Sequence, residues 1–124
     1  MAWNYDIIDL NEAMTRVLGR KELYKGWLDT FLTDDVFATV QEAFEKKDYD
    51  GADLALHKIK GTSGNLSIKS VFELASSLSS KVRNRDAFDT LTEEYEKLRE
   101  SFFSAKKMYT DNVNDLMNYG ELSF

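Results

Sequence analysis

Ala55-Leu56-His57-Lys58-Ile59-Lys60-Gly61-Thr62-Ser63-Gly64-Asn65-Leu66 is the stretch on which the fold and the function both turn. Helical residues three, four and seven apart share a face. Ala52, Ala55, Ile59, Thr62, Ser63 and Leu66 then cluster on one side, small or apolar, as the interior of a tight bundle requires. His57, Lys60, Gly61 and Gly64 fall on the other side. His57 is the only histidine of the chain, and burial of the opposite face leaves it at or near the surface. A glycine inside a helix costs about 1 kcal/mol relative to alanine. Two of them beside the imidazole imply that something must approach it closely, because helix packing alone would put small residues on the inward side.

Outward from this stretch, Asp48 reads as the cap of the histidine helix. Upstream, a short helix is predicted over Asp9 to Val17, capped by Asp9 and closed by Gly19. A second follows from Arg20 to Leu32, with Leu23, Trp27 and Phe31 as its apolar stripe. A third runs from about Asp34 to Lys47, capped by Thr33 or Asp34, with Val36, Val40 and Phe44 inward. Downstream, Ile68 to Arg83 carries Val71, Ala75, Leu78 and Val82 inward, and Asn84-Arg85-Asp86 reads as a turn. The last long helix begins between Asp86 and Thr90, where Thr90-Leu91-Thr92-Glu93 fits a capping box. Its stripe is Leu91, Tyr95, Leu98, Phe102, Ala105 and Tyr109. Beyond Thr110 the helix either continues to Tyr119 or breaks near Asp111 into a separate short helix.

The expected fold is all-α: an antiparallel up-down-up-down four-helix bundle, with an additional short N-terminal helix and an extended C-terminal helix. One domain spans 1–124, its bundle core at about 20–110. The chain has 124 residues, enough for one domain, and no proline, which suits an almost wholly helical protein. It has no cysteine, so disulfides, thiol catalysis and cysteine-ligated metals are excluded. That composition fits a reducing cytosol, and a cytoplasmic location is expected. No stretch approaches the ~18 apolar residues of a membrane span. The start, Met1-Ala2-Trp3-Asn4-Tyr5-Asp6, lacks the basic and apolar regions of a signal peptide. A net charge of −6 argues against nucleic-acid binding and anionic membrane surfaces. No metal site is expected from one histidine and scattered carboxylates.

An exposed imidazole, with an ordinary pKa of about 6.5, is a good nucleophile near neutral pH. It can attack phosphorus in line from Nε2, and an ammonium at i+3 can neutralise the phosphoryl oxygens. Lys60 stands at that position. The chain has no Walker A sequence and no kinase-like glycine-rich loop, so the phosphoryl group must come from another protein. Against this stands the ordinary reading, in which a lone helical histidine is a surface residue and Lys60 a solvated charge. The glycines on the histidine's own face weigh for the chemical reading.

The run from Ala55 to Leu66 resembles the signature of histidine-containing phosphotransfer (HPt) domains: a histidine, one residue, an apolar residue, Lys-Gly, then small residues. Leu18-Gly19-Arg20-Lys21-Glu22-Leu23-Tyr24 and Leu28-Asp29-Thr30-Phe31 are similar to the family's helix before the bundle, and Lys47-Asp48-Tyr49-Asp50 to the turn before its active helix. The likeness covers roughly Asp9 to Leu98. It implies a four-helix bundle with a surface phosphohistidine, exchanging phosphoryl groups with an aspartate on a receiver domain in a two-component phosphorelay. By that resemblance His57 is the phosphoacceptor, Lys60 faces the phosphate, and Gly61 and Gly64 give clearance. The chain would hold no cofactor of its own, with Mg²⁺ on the receiver. Ser67 stands where many members have glycine, which implies a modest effect on the turn and no loss of phosphotransfer. The stretch beyond about Tyr109 is longer than the minimal family bundle.

A receiver would dock around His57, with Leu54 and Ile68 near that face and Asp50 and Asp53 along its N-terminal side. Packing under a neighbouring helix is the equal alternative for Leu54, and a helix-dipole role for the acidic pair. Three functions fit: a phosphorelay carrier between aspartates, a phosphoacceptor module like that of chemotaxis-type kinases, and a helical scaffold with an incidental histidine. Partners on the first two are response-regulator receiver domains, a sensor histidine kinase, or both. A monomer is the simplest expectation, and Met1 with the full bundle favours a free-standing protein.

Overall fold

Among the described residues three helices begin at a side-chain cap and four end in a left-handed turn. The computed structural model describes residues 3–120. The extreme ends of the single-domain reading, and Met1 and Ala2 of the predicted leaderless start, lie outside the described residues. The elements are α1 (Leu10–Arg16), α2 (Lys21–Phe31), α3 (Asp34–Glu45), α4 (Tyr49–Asn65), α5 (Lys69–Arg83), a 3₁₀ turn (Phe88–Thr90), α6 (Thr92–Asp111) and α7 (Val113–Met117). No strand occurs among the described residues.

Three predicted N-caps form. Asp9 accepts from the Glu12 amide at 3.1 Å, Thr33 from Val36 at 3.4 Å, and Asp48 from Gly51 at 3.0 Å. The predicted capping box does not form. Thr90 instead closes the 3₁₀ turn, its hydroxyl donating to the Ala87 carbonyl at 2.6 Å, and α6 starts after Leu91 without a side-chain cap.

The C-termini share one device. Leu18, Lys47, Ser67 and Arg85 each take a left-handed φ, between 52° and 63°, just past α1, α3, α4 and α5. The residue after each returns its amide to a carbonyl five residues back: Gly19 to Met14, Asp48 to Ala43, Ile68 to Ser63 and Asp86 to Lys81. These are Schellman endings, usually served by glycine.

Helices α3 to α6 form the bundle. Neighbours run antiparallel where their contacts show it: Asp53 pairs with Arg83 at one end of α4 and α5, and Gly64 meets Phe72 at the other. Helix α6 closes the ring against α3, with Phe37 against Phe102 and Phe44 stacked on Tyr95 at 4.7 Å between centroids. The inward stripes of α5 and α6 are as expected, except that Tyr95 is only half-buried. On α4, Leu56 is buried as well, a position the wheel left out.

Two stripes are corrected. On α2 the buried set is Tyr24, Leu28 and Phe31, while Leu23 and Trp27 are exposed. The helix is turned one residue from the expected face, so that the Tyr24 hydroxyl can donate to the Leu66 carbonyl at the end of α4. On α3, Phe37, Val40 and Ala43 are buried, and Val36 and Phe44 only partly so. Phe37 wins the inward position because it meets Tyr95, Phe102 and Phe103 together.

Helix breaks at Asn112, as one of the two C-terminal readings had it, and α7 folds back on α2. Lys21 donates to the Met117 carbonyl at 3.1 Å, and the Trp3 amide to Asp115 at 2.8 Å. Residues near both ends thereby brace the helices that support the end of α4. No helix of the described residues is long and apolar enough to cross a membrane.

Candidate functional site

The end of an α-helix leaves its last carbonyls without intrahelical donors. At the end of α4 each is accounted for. Thr62 O accepts from Leu66 N, and Ser63 O from Ile68 N, both at 2.9 Å. Gly64 O and Asn65 O accept from the Arg16 guanidinium at 3.0 and 3.5 Å. Leu66 O accepts from Tyr24, and Ser67 O from the Asp9 amide at 2.9 Å. Helices α1 and α2 thus hold the C-terminal end of the helix that carries His57. Full burial of the Tyr24 ring pushes its phenol pKa up, keeping it a donor.

Ser67 completes this joint. Its hydroxyl donates to Glu12 at 2.8 Å, and Lys69 reaches the same carboxylate at 3.0 Å, with Arg16 at 3.3 Å. The bonds from Ser67 and Lys69 hold the Glu12 carboxyl below the ordinary carboxylate range. The left-handed turn expected of a glycine is therefore made by a serine whose side chain has a partner.

His57 is exposed on α4 and faces a surface depression of ≈ 430 Å³. Lys60, Gly61 and Gly64 line it beside the imidazole, as their spacing predicts. Glu12 and Arg16 of α1, Ser63 and Asn65 of α4, Ser67 and Ile68 of the turn, and Lys69 and Phe72 from the start of α5 also line it. Among the described residues, no hydrogen bond or ion pair occupies the imidazole or the Lys60 ammonium. Three cations against one carboxylate make the depression positive in a chain of net charge −6. Such a surface suits a phosphoryl group or an acidic partner.

Four expected site residues stand as follows. Leu54 is 59% exposed, one turn before His57, and is not packed under a neighbouring helix. Gly61 is open, with nothing within 4 Å of a Cβ placed there. Gly64 is not open: a Cβ would meet the Phe72 ring at 3.0 Å, so this glycine makes room for a side chain of the protein itself. Ile68 lines the same depression, near the histidine's face as expected, but its side chain is fully buried beneath the turn; Phe72, one helical turn on, is the apolar residue exposed at that rim. The acidic pair is tied back to the end of α5 and the turn after it, Asp53 to Arg83 at 3.4 Å and Asp50 to Arg85 at 2.9 Å.

The sequence reading missed Glu12, Arg16, Tyr24, Lys69 and Phe72. Only Phe72 carried a signal, as an aromatic standing off the inward stripe of α5. The others depend on how α1 and α2 dock. Among the described residues no group of three or more His, Asp or Glu side chains could hold a metal ion.

The family model described as the Hpt domain matches residues 28–101, from late α2 to the middle of α6, with His57 inside. The chain belongs to the Hpt domain family. Hpt domains are phosphotransfer carriers in phosphorelays, where they interact with receiver domains and histidine kinases. The crystal structure of the HPT domain from a Shewanella Hpt sensor hybrid histidine kinase is similar to this chain with a TM-score of 0.72. It covers 98% of this chain and 100% of its own at 16% identity, a likeness of fold. No curated protein matches the sequence. Helix α1 lies outside the span matched by the Hpt family model, yet supplies two walls of the depression.

Proposed function

We propose that this Hpt domain accepts a phosphoryl group on His57 from the phospho-aspartate of a receiver domain and passes it to another receiver. The observation that carries the reading is the exposed His57 beside Lys60 in a cationic depression, within the span matched by the Hpt family model. In the forward step Nε2 of the neutral imidazole forms an N–P bond as the acyl phosphate P–O bond breaks. The aspartate carboxylate leaves with the bonding pair, and Nδ1 keeps its proton. Return of the group to a second aspartate reverses both changes. Lys60 neutralises the phosphoryl oxygens during transfer. Open Gly61 lets the receiver's loops approach the imidazole. Mg²⁺ is expected on the receiver, and this chain contributes no nucleotide site. The reading places the protein in the cytoplasm, with its receivers.

The test is incubation with a phosphorylated receiver and Mg²⁺, comparing wild type with His57→Gln. An acid-labile, base-stable phosphoryl group on wild type alone supports the reading. Label from an ATP-bound kinase domain, with none from any receiver, would favour the chemotaxis-type module instead.

A further inference from the structure

We infer that Phe72 is an anchoring residue for the receiver that docks on His57, and that Gly64 exists to seat it. The inference rests on the phosphotransfer reading. Helix α5 buries Val71, Ala75, Leu78 and Val82, and Phe72 stands off that stripe with 36% of its surface exposed. Its ring lies against Gly64: a Cβ there would come within 3.0 Å of Cδ1 and 3.1 Å of Cε1. Alanine at position 64 would therefore push the ring outward. A large exposed ring held in a notch is preorganised, and loses little freedom when a partner covers it.

The ring shares its depression with His57, Lys60 and Gly61. His57 and Gly64 are seven residues apart, or about 10 Å along the helix. A partner that reaches the imidazole and buries about 800 Å² on this chain covers Phe72 as well. Leu54 lies on the N-terminal side of the histidine, so apolar anchors flank the reactive centre at both ends. Lys60 stands between them on α4, and Arg16 and Lys69 line the same depression. That pattern fits an acidic partner carrying a phosphoryl group. It disfavours a second copy of this chain, which would bring like charges together. Aromatic side chains at such positions carry a large share of binding energy.

The test measures initial rates of phosphoryl transfer from a phosphorylated receiver across a range of receiver concentrations, for wild type, Phe72→Ala, Phe72→Leu and Gly64→Ala. Labelling of His57 by phosphoramidate, a donor too small to reach the ring, is measured in parallel. Phe72→Ala is expected to raise KM about tenfold, a typical anchor loss. The ratio of receiver-driven to phosphoramidate-driven labelling should fall by the same factor. Leucine should restore most of the loss, and Gly64→Ala should raise KM in the same direction. A ratio equal to wild type, whether both activities hold or both fall together, would overturn the assignment of Phe72 while leaving His57 as acceptor. Wild type that no receiver labels would remove the phosphotransfer reading, and Phe72 with it.

Discussion

Ser67 shows how one residue can be both strained and useful. Its φ of 60° is one that glycine adopts freely and other residues at a cost of roughly 1–2 kcal/mol. Its hydroxyl bond to Glu12 offsets that cost and ties α1 to the end of α4. Ser67→Ala keeps the strained turn and loses the bond, so it should destabilise the fold by about 1–2 kcal/mol. Ser67→Gly loses the same bond but relieves the turn, and should be near neutral. Denaturant midpoints of the two variants check this; an alanine variant as stable as wild type would show that the bond contributes nothing. From sequence alone Ser67 was only a departure from glycine, because its partner lies 55 residues away.

At the scale of the element, helix starts were legible and inward faces less so. Asp9, Thr33 and Asp48 act on amides three residues ahead, so their chemistry is local. The face of α2 was not local. Leu23 and Trp27 are at least as apolar as Tyr24 and Leu28, and the buried face carries a contact from the Tyr24 hydroxyl to the Leu66 carbonyl, 42 residues away, that local pattern does not show. The Schellman endings escaped the sequence reading because Leu18, Lys47, Ser67 and Arg85 do not announce a left-handed turn as glycine does. Lys47 offers the cleanest test. Its side chain is exposed, and its ion pair with Asp89, at 3.8 Å between exposed groups, contributes little. Lys47→Gly removes the strain of the left-handed turn but frees the unfolded chain, a net stabilisation of about 0.5–1 kcal/mol. Thermal melting should show a rise of a few degrees. A fall in Tm would mean that the lysine side chain holds the α3–α4 turn in some other way.

Over the whole molecule, the bundle core was legible from helical periodicity, while the brace around it was not. Helix α4 reads largely correctly because its two faces differ in kind, small and apolar against polar; Leu56, buried, and Gly64, filled by Phe72, are the exceptions. The brace is made of long-range polar contacts: Arg16 to Gly64 and Asn65, Glu12 to Ser67 and Lys69, Tyr109 to Asp29. Two of its carboxylates set an acid limit. The Ser67 and Lys69 bonds lower the Glu12 pKa, and at Asp29 bonds from Lys25 and Tyr109 outweigh the upward push of burial. A lowered folded-state pKa gives stability that is present above the unfolded values, about 4.3 for Glu and 3.9 for Asp, and lost as pH falls through the folded ones. Stability should therefore hold from pH 7 to about 5 and fall below about 4. Glu12→Gln with Asp29→Asn should flatten that fall, as denaturant titrations at several pH values would show. An equally steep acid loss in the double variant would assign it to other carboxylates.

Whether His57 carries the phosphoryl group is read by mass spectrometry of the intact chain and its peptides after exposure to a phosphorylated receiver. One phosphoryl group on the peptide containing His57, lost in acid and absent from His57→Gln, is the predicted result. A phosphoryl group on another residue, or equal labelling of the His57→Gln variant, would contradict it.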